Sequence, residues 1–337
     1  MNRYAVVAVF LAVALAGCGG LVGDTTTGPI ADGYNETGVA NVSVAVQTHQ
    51  EAVASSRYSY EQTVESEQGT GTFEIHSGAS GTIATQTNGD ASRAVWREDD
   101  AAAVRTQRGD QTSYGTLAGN LSVAVGNSQT GSTLRAAEQF PGTILSQIAF
   151  DAVGGTEWNG VTVREYQATE FRTARVNGTV DGRMLVDAAG RIRHIDIDLT
   201  QQTQGRELSV SIETRLTEVG SATAAEPDWT DDAPSVSVVN EEGILEVTNT
   251  GDSALNATFA GLDAGLDEPL APEETMYVAP GNNTVDVSRE RPDSTEYDWP
   301  RPEIALRFGT DRTVTVGAFF SAEYADEPFP RRIVSAR

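Results

Sequence analysis

The chain has 337 residues, of which 48 are acidic and 23 are basic, so its formal net charge is -25. Such a charge excludes most nucleic-acid binders, because those proteins neutralise phosphates with basic side chains. It also argues against direct adsorption to an anionic membrane surface. Every basic residue is an arginine, and 39% of the chain is hydrophobic, which is too much for a disordered acidic tract.

The start of the chain has the order of a secretory signal. A short basic start precedes an apolar run from Tyr4 to Ala16, which is too short to span a membrane. Small residues then lead into Cys18, the one cysteine of the sequence. This junction resembles the lipobox of prokaryotic lipoproteins, which implies a signal peptide over residues 1–18 and a lipid on the Cys18 thiol. The alternative is an ordinary secretory signal with an incidental cysteine.

A lipid on Cys18 predicts a protein anchored in the cell membrane at its extracellular face, with the lipid as its contact with the membrane. Residues 19–38 are rich in Gly, Thr and Asp and are expected to form a flexible tether. An excess of Asn-X-Ser/Thr sequons favours an exposed, glycosylated surface. These sequons begin at Asn35, Asn41, Asn120, Asn177, Asn256 and Asn282.

Beyond the tether, a helix is predicted from Val39 to about Ser55, with Asn41 or Ser43 near its start. Alternating patterns then recur between Gly, Asn and Asp turns, which indicates an antiparallel meander. The predicted strands are 57–64, Thr72–Ser77, Gly81–Thr87, Ala91–Glu98, Ala101–Arg108 and Gln111–Gly115.

A helical interval follows from Gly131 to Val153, and Pro141-Gly142 predicts a break between two helices there. Trp158-Asn159-Gly160-Val161 predicts a two-residue hairpin, because Asn-Gly accepts left-handed backbone angles. Four further strands are predicted, at Val161–Thr169, Asp181–Asp187, Ile192–Thr200 and Glu207–Glu218.

Two neighbouring phrases carry a family resemblance. The first segment is Gly182-Arg183-Met184-Leu185-Val186-Asp187, and the second is Gly190-Arg191-Ile192-Arg193-His194-Ile195-Asp196-Ile197. Earlier in the chain, the predicted opening helix leads to Tyr58-Ser59-Tyr60. Together they resemble the lipoprotein-carrier fold of periplasmic and cell-surface lipoproteins, and more closely haloarchaeal lipoproteins of unknown function. The resemblance implies that residues 39–223 form a curved antiparallel half-barrel with helices in its concave side. The acidic composition without lysine is also similar to that of proteins from salt-loving archaea.

Residues 220–234 form an acidic linker that contains proline, and a second β-rich unit is predicted over 234–337. The phrase from Leu245 to Asp252 is similar to the strand and turn of immunoglobulin-like sandwiches. The predicted strands of this second unit are Ser235–Val239, Ile244–Thr248, Ala254–Phe259, Thr275–Val278, Asn283–Val287, Ile304–Phe308 and Thr313–Phe320. The predicted fold class is therefore mainly β, with an α+β half-barrel covered by helices and then a β-sandwich.

The sequence has no established catalytic motif. It lacks a nucleophile elbow, a phosphate-binding loop, a dinucleotide fingerprint and a calcium loop. His194, Asp196 and Asp198 alternate along one predicted strand and could face one metal, but a solvated sheet face is the simpler interpretation. We therefore expect no enzymatic activity, no metal and no cofactor.

The half-barrel resemblance makes ligand binding the leading functional hypothesis. We expect Leu145, Ile148 and Phe150 to face the concave side and line a site for an apolar or amphiphilic ligand, such as a lipid or acyl chain. The alternative is that these residues fill the half-barrel as ordinary core. The protein would then be an envelope interaction or structural protein without a small-molecule ligand.

Overall fold

The computed structural model describes residues 30–98, 101–118, 134, 136–173, 177–203, 206–241, 243–255, 257–259, 268–281, 285–293, 303–308 and 312–317. Within these ranges the fold class is mainly β, as predicted. In chain order the elements are α1 (Val42–Ala54), β1 (Tyr58–Ser66), β2 (Gly69–Ser77), β3 (Thr82–Asn88), β4 (Ala91–Glu98), β5 (Ala101–Arg108), β6 (Gln111–Ala118), α2 (Ala136–Gln147), β7 (Ile148–Trp158), β8 (Val161–Phe171), β9 (Gly178–Asp187), β10 (Ile192–Thr203), β11 (Arg206–Thr217), a 3-10 helix (Asp228–Asp232), β12 (Val236–Glu241), β13 (Ile244–Asn249), β14 (Ala257–Phe259), β15 (Thr275–Pro280), β16 (Val285–Ser288), β17 (Glu303–Phe308) and β18 (Arg312–Gly317).

The chain divides into two compact units, and the first contains α1, most of β1, nearly all of α2, and β7 to β11. Its strand order is β1-β11-β10-β9-β8-β7. The pairs from β7 to β11 are antiparallel. In β10, Ile195 and Ile197 are buried while Asp196 and Asp198 are exposed, because successive side chains of a strand point to opposite faces.

Helix α1 begins at Val42, slightly later than the predicted Val39, and Asn41, one of the two residues predicted near its start, caps it. Asn41 has an extended backbone, and its side-chain oxygen accepts a hydrogen bond from the Val44 amide at 3.2 Å, which caps the first turn. The buried residues Ala45, His49 and Val53 recur every four positions, so one stripe of the helix faces the core. The hairpin after β7 is also confirmed, since Asn159 has φ 48° and Gly160 has φ 75°.

The predicted break in the second helical interval is wrong. Helix α2 runs without interruption from Ala136 to Gln147 and contains Pro141. Residues 148–153 are the first half of strand β7, not a second helix. The spacing of the apolar residues could not distinguish a second helix from a strand here, because a short apolar run fits either a helix or a buried strand.

The predicted tether ends earlier than expected. Residues 30–41 lie against the first unit, and Tyr34 is 7% exposed within its hydrophobic core. The Val39 amide donates to the Phe150 carbonyl at 3.3 Å, and the Ala152 amide donates to the Thr37 carbonyl at 2.9 Å. The segment is therefore attached by its buried aromatic residue together with backbone hydrogen bonds to β7.

The second unit contains β2 to β6 together with the described C-terminal strands, so its boundary differs from the one predicted at residues 220–234. One sheet has the order β14-β17-β18-β6-β5-β4-β3-β2, and β12-β13-β15-β16 form a separate sheet. Strand β18 pairs parallel with β6, and Thr313 lies opposite Gly115. The predicted C-terminal strands therefore divide between two sheets, one of which they share with the meander, because alternation identifies strands but does not choose their partners.

Candidate functional site

The three residues predicted to line a ligand site lie in the core of the first unit. Leu145 and Ile148 are 0% exposed, and Phe150 is 3% exposed. They belong to one apolar cluster with residues of α1 and of strands β8 to β11, including Tyr166 and Ile195. The structure thus places the three in one buried cluster, which is the arrangement expected of a filled core. Their role in ligand binding stays a prediction.

Pro141 and Gly142, which predicted a helix break, lie where α1 contacts α2. Proline has no amide hydrogen, so the Ala137 carbonyl lacks its usual helical donor. The His49 Nε2 atom lies 2.9 Å from that carbonyl oxygen and replaces the donor.

Next to Pro141, a Cβ atom added to Gly142 would lie 2.9 Å from Cγ1 of Val46 in α1. Glycine is therefore needed for the close approach of α1.

The His49 ring joins three elements. Its Nδ1 atom accepts a hydrogen bond at 3.1 Å from the Ile192 amide at the start of β10, so Nε2 carries the proton that is donated to Ala137. Burial lowers the pKa of His49 to about 4, against opposition from the Ala137 hydrogen bond and the Asp187 charge. The ring is therefore neutral at neutral pH and acts as a buried connector of α1, α2 and β10.

The family phrase around Asp187 forms the turn between β9 and β10. Asp187 Oδ1 accepts hydrogen bonds from the amides of Ala189 and Arg191, and its Oδ2 lies 2.7 Å from Arg193 Nε. Arg191 Nε donates to the Ala52 carbonyl in the last turn of α1. Gly190 has φ 80°, and a Cβ atom there would meet Thr48 of α1. This turn therefore holds the C-terminal half of α1 against the sheet.

A polar group inside the core was missed by the sequence analysis. The Tyr34 ring lies 5.2 Å from the Tyr166 ring, and its buried hydroxyl has no hydrogen-bond partner among the described residues. Burial raises the pKa of Tyr34 above its usual range. Burial also raises the pKa of Tyr166, although a hydrogen bond to the buried Arg164 opposes this change. An aromatic residue inside a polar segment was the signal that could have identified Tyr34.

The opposite face of the first sheet carries a polar group around His194. His194 Nε2 lies 3.2 Å from Glu213 Oε1, and the His194 ring stacks on Trp158 with centroids 5.7 Å apart. Desolvation raises the pKa of Glu213, but hydrogen bonds to His194 and Arg215 outweigh it and leave the pKa below its usual value. Asp196 and Asp198 are exposed. Within the described ranges no group of three or more histidine, cysteine or acidic residues could hold a metal.

Several predicted residues lie outside the described ranges: the signal peptide with Cys18, and the sequons at Asn120, Asn256 and Asn282. The other three sequon asparagines, Asn35, Asn41 and Asn177, are exposed. Asn35 Oδ1 accepts hydrogen bonds from the amides of Thr37 and Gly38 and from the Thr37 hydroxyl. In the part of the chain that the structure describes, no helix has the length and hydrophobicity needed to cross a bilayer.

A family model matches residues 3–233, and its description is DUF7537, a family of unknown function. The chain belongs to this family. The DUF7537 match includes most of the predicted signal peptide, α1, and the strands from β1 to β11, and it ends just before β12. No curated protein matches the sequence. Membership therefore groups the protein with its relatives without supplying an activity.

Three solved structures that are similar to this chain come from bacteria. The complex of MucA and MucB from Pseudomonas aeruginosa shares 12% identity, with 73% of this chain and 91% of that chain covered and a TM-score of 0.24. A DUF1329 family protein from Desulfovibrio piger shares 8%, covering 56% and 95%, with a TM-score of 0.21. An outer membrane lipoprotein-sorting protein domain from Vibrio parahaemolyticus shares 11%, covering 57% and 98%, with a TM-score of 0.15. With TM-scores this low, we base no step of the functional argument on them.

Proposed function

We propose that this protein is a lipid-anchored, non-enzymatic protein of the extracellular membrane face, which acts by contact between its surface and a partner protein. The burial of Leu145, Ile148 and Phe150 carries this proposal. A site for an acyl chain needs apolar side chains that face an open volume. These three pack in one cluster with residues of the strands instead, and none of them is more than 3% exposed, which supports an interior filled by the protein's own side chains.

Binding of an amphiphilic ligand in the first unit is the second candidate. It is favoured by the Tyr34 hydroxyl, which is buried and has no hydrogen-bond partner among the described residues. The Tyr34 ring lies against Tyr166, which is in turn hydrogen-bonded to Arg164. A buried hydroxyl without a hydrogen bond is costly. An anionic head group next to a hydroxyl and a guanidinium would remove that cost, with its acyl chain among the apolar residues of the cluster.

One experiment separates the two candidates. Full-length protein is purified from its own membrane, examined by native mass spectrometry for bound lipid, and titrated with a fluorescent fatty acid. We expect no lipid other than the covalent anchor and no uptake of the probe. Ile148→Ala should then lower the free energy of unfolding by about 2–5 kcal/mol, because it leaves a cavity in a packed core. Val153→Ala, at a position that is 58% exposed, is the matched control and should change it by less than about 0.5 kcal/mol.

The opposite result has a distinct signature. A co-purified lipid, together with probe uptake that Ile148→Ala and Tyr34→Phe both weaken, would refute the proposal and establish the second candidate. Without an internal ligand, Tyr34→Phe should be neutral or slightly stabilising, because it removes a buried hydroxyl that lacks a partner.

A further inference from the structure

Strand β7 is the edge strand of the first unit, and β8 is its neighbour in the sheet. An edge strand exposes a row of backbone N–H and C=O groups that have no neighbour to pair with. Residues 37–39 cover the first half of this edge through the hydrogen bonds of Phe150 and Ala152. No described residue makes a backbone hydrogen bond to the outer side of Val153–Glu157.

The open half of β7 is also exposed through its side chains. Val153 is 58% exposed, the largest exposed fraction of the large hydrophobic residues in the described chain. Gly155, Thr156 and Glu157 are exposed as well. A Cβ atom added at Gly154 would meet nothing within 4 Å, so the packing of this chain does not require a glycine there. Glycine within a strand often marks a place where another backbone approaches closely.

The usual protection of an edge strand is weak along this half. It contains no proline and only one charged residue, Glu157, whereas proline and charged side chains commonly prevent pairing with another chain. A bulge between Ala152 and Gly154 separates the open half from the covered half. Gly38 already forms an isolated β-bridge with Asp151 on the covered half of the same edge, so backbone pairing with β7 is possible from this side.

We propose that residues 153–157 bind an extended, cationic segment of a partner protein, which joins β7 as an additional strand. This inference rests on the proposed function and specifies the kind of partner. Main-chain hydrogen bonds would supply the affinity, and alternate side chains of the partner would contact Val153 and its neighbours. We expect the partner segment to be positively charged because the acidic residues Glu36, Asp151 and Glu157 are all exposed on or beside this edge. The chain as a whole has a net charge of -25.

The test uses full-length protein and a synthetic twelve-residue peptide that alternates valine and arginine. Titration calorimetry measures its dissociation constant, and amide hydrogen exchange reports which residues become protected. We expect slower exchange at Gly155 and Glu157. Amides of a strand alternate in direction, and counting back from the Asn159-Gly160 hairpin shows that these two point away from β8. A peptide that alternates valine and glutamate should not bind, and N-methylation of alternate valine residues should abolish binding.

Matched variants locate the site. Val153→Lys should weaken binding of the cationic peptide by about tenfold or more, because it removes an apolar contact and adds repulsion. Leu208→Lys places the same charge at another exposed hydrophobic residue of the unit, which is 40% exposed, and should bind like the wild type. Gly155→Pro removes one outward amide and should also weaken binding, since proline is accepted on an edge strand.

The inference would be overturned by binding without protection at residues 153–157, by equal weakening from Val153→Lys and Leu208→Lys, or by full protection of this edge in the free protein. Protection that increases with protein concentration would assign the edge to a second copy and refute a cationic partner. None of these results bears on the absence of an internal lipid, so this inference and the proposed function fail separately.

Discussion

Ala137 and Pro141 are four residues apart in α2, so the proline leaves the Ala137 carbonyl without its helical donor. His49 of α1 supplies that donor from outside the helix. The histidine therefore has a role that its position in the sequence does not suggest, because the residue that needs it is 88 positions away. The helix tolerates its proline through this contact between helices.

The pair can be tested with a double-mutant cycle. His49→Leu leaves the Ala137 carbonyl and the Ile192 amide buried without partners, and each such loss costs about 1–3 kcal/mol. Pro141→Ala restores a helical donor to Ala137. We expect Pro141→Ala to stabilise the His49→Leu protein by about 1 kcal/mol more than it stabilises the wild type. Urea denaturation of the four proteins measures this coupling, and additive effects would disprove the pairing.

The same histidine predicts a dependence of stability on pH. Its pKa is about 4 in the folded protein against 6.5 for an ordinary histidine, so between these values the unfolded chain binds the proton and the folded chain does not. The contribution of neutral His49 is therefore complete above pH 6.5 and is lost as the pH falls towards 4. Asp187 and Arg191 face the ring with opposite effects on its pKa.

From pH 7 to pH 5 the wild type should lose about 2 kcal/mol more of its unfolding free energy than His49→Gln does. Glutamine keeps a neutral polar side chain at this position and does not titrate, so the difference isolates the histidine. Urea denaturation at a series of pH values measures it. Parallel pH profiles of the two proteins would contradict the assignment.

At the scale of elements, Gly142 sets the distance between α1 and α2. Alanine is the better helix former by about 1 kcal/mol, but its Cβ atom would lie 2.9 Å from the stiff Val46 side chain. We expect Gly142→Ala to destabilise the protein by about 1–3 kcal/mol through overpacking. In a Val46→Ala background the same change should be neutral or stabilising. Thermal denaturation of the three variants measures both effects, and destabilisation in both backgrounds would exclude the contact as the cause.

At the scale of the whole molecule, the net charge of -25 predicts that stability depends on salt. The screening distance grows from about 3 Å at 1 M salt to about 30 Å at 0.01 M, so self-repulsion increases as salt is removed. We expect the melting temperature of the full chain to fall on dilution from 1 M to 0.01 M KCl. When the KCl concentration is below 0.1 M, added sucrose of equal osmolality should not restore the melting temperature. A melting temperature that stays constant as KCl is removed would refute an electrostatic origin.

The membrane anchor makes a second prediction at this scale. Cys18→Ser removes the one thiol of the sequence that could carry a lipid. The variant should be released from membranes, or remain uncleaved and held by its signal segment, because lipid is its proposed attachment. Cell fractionation with mass measurement distinguishes these forms. A cleaved mature variant that still sediments with membranes would refute lipid anchoring through Cys18.

The sequence by itself determined the features that depend on neighbouring residues. Alternation located the strands, Asn41 marked the start of α1, and Asn159-Gly160 marked a hairpin. Each signal acts over a few residues, because capping and turn formation are local. The sequence also grouped Leu145, Ile148 and Phe150 on one side, although it assigned the last two to a helix and left open whether they line a site or fill a core.

Only the tertiary structure decided what depends on distant residues. Three contacts join segments that are far apart in the chain. They are the pairing of β18 with β6, the hydrogen bond from His49 to the Ala137 carbonyl of α2, and the packing of Tyr34 in the core. Apolar patterns predict that a residue will be buried, but not against which partner. The same limit explains the candidate site, because a lining residue and a core residue have the same pattern and differ only in whether the space before them is filled.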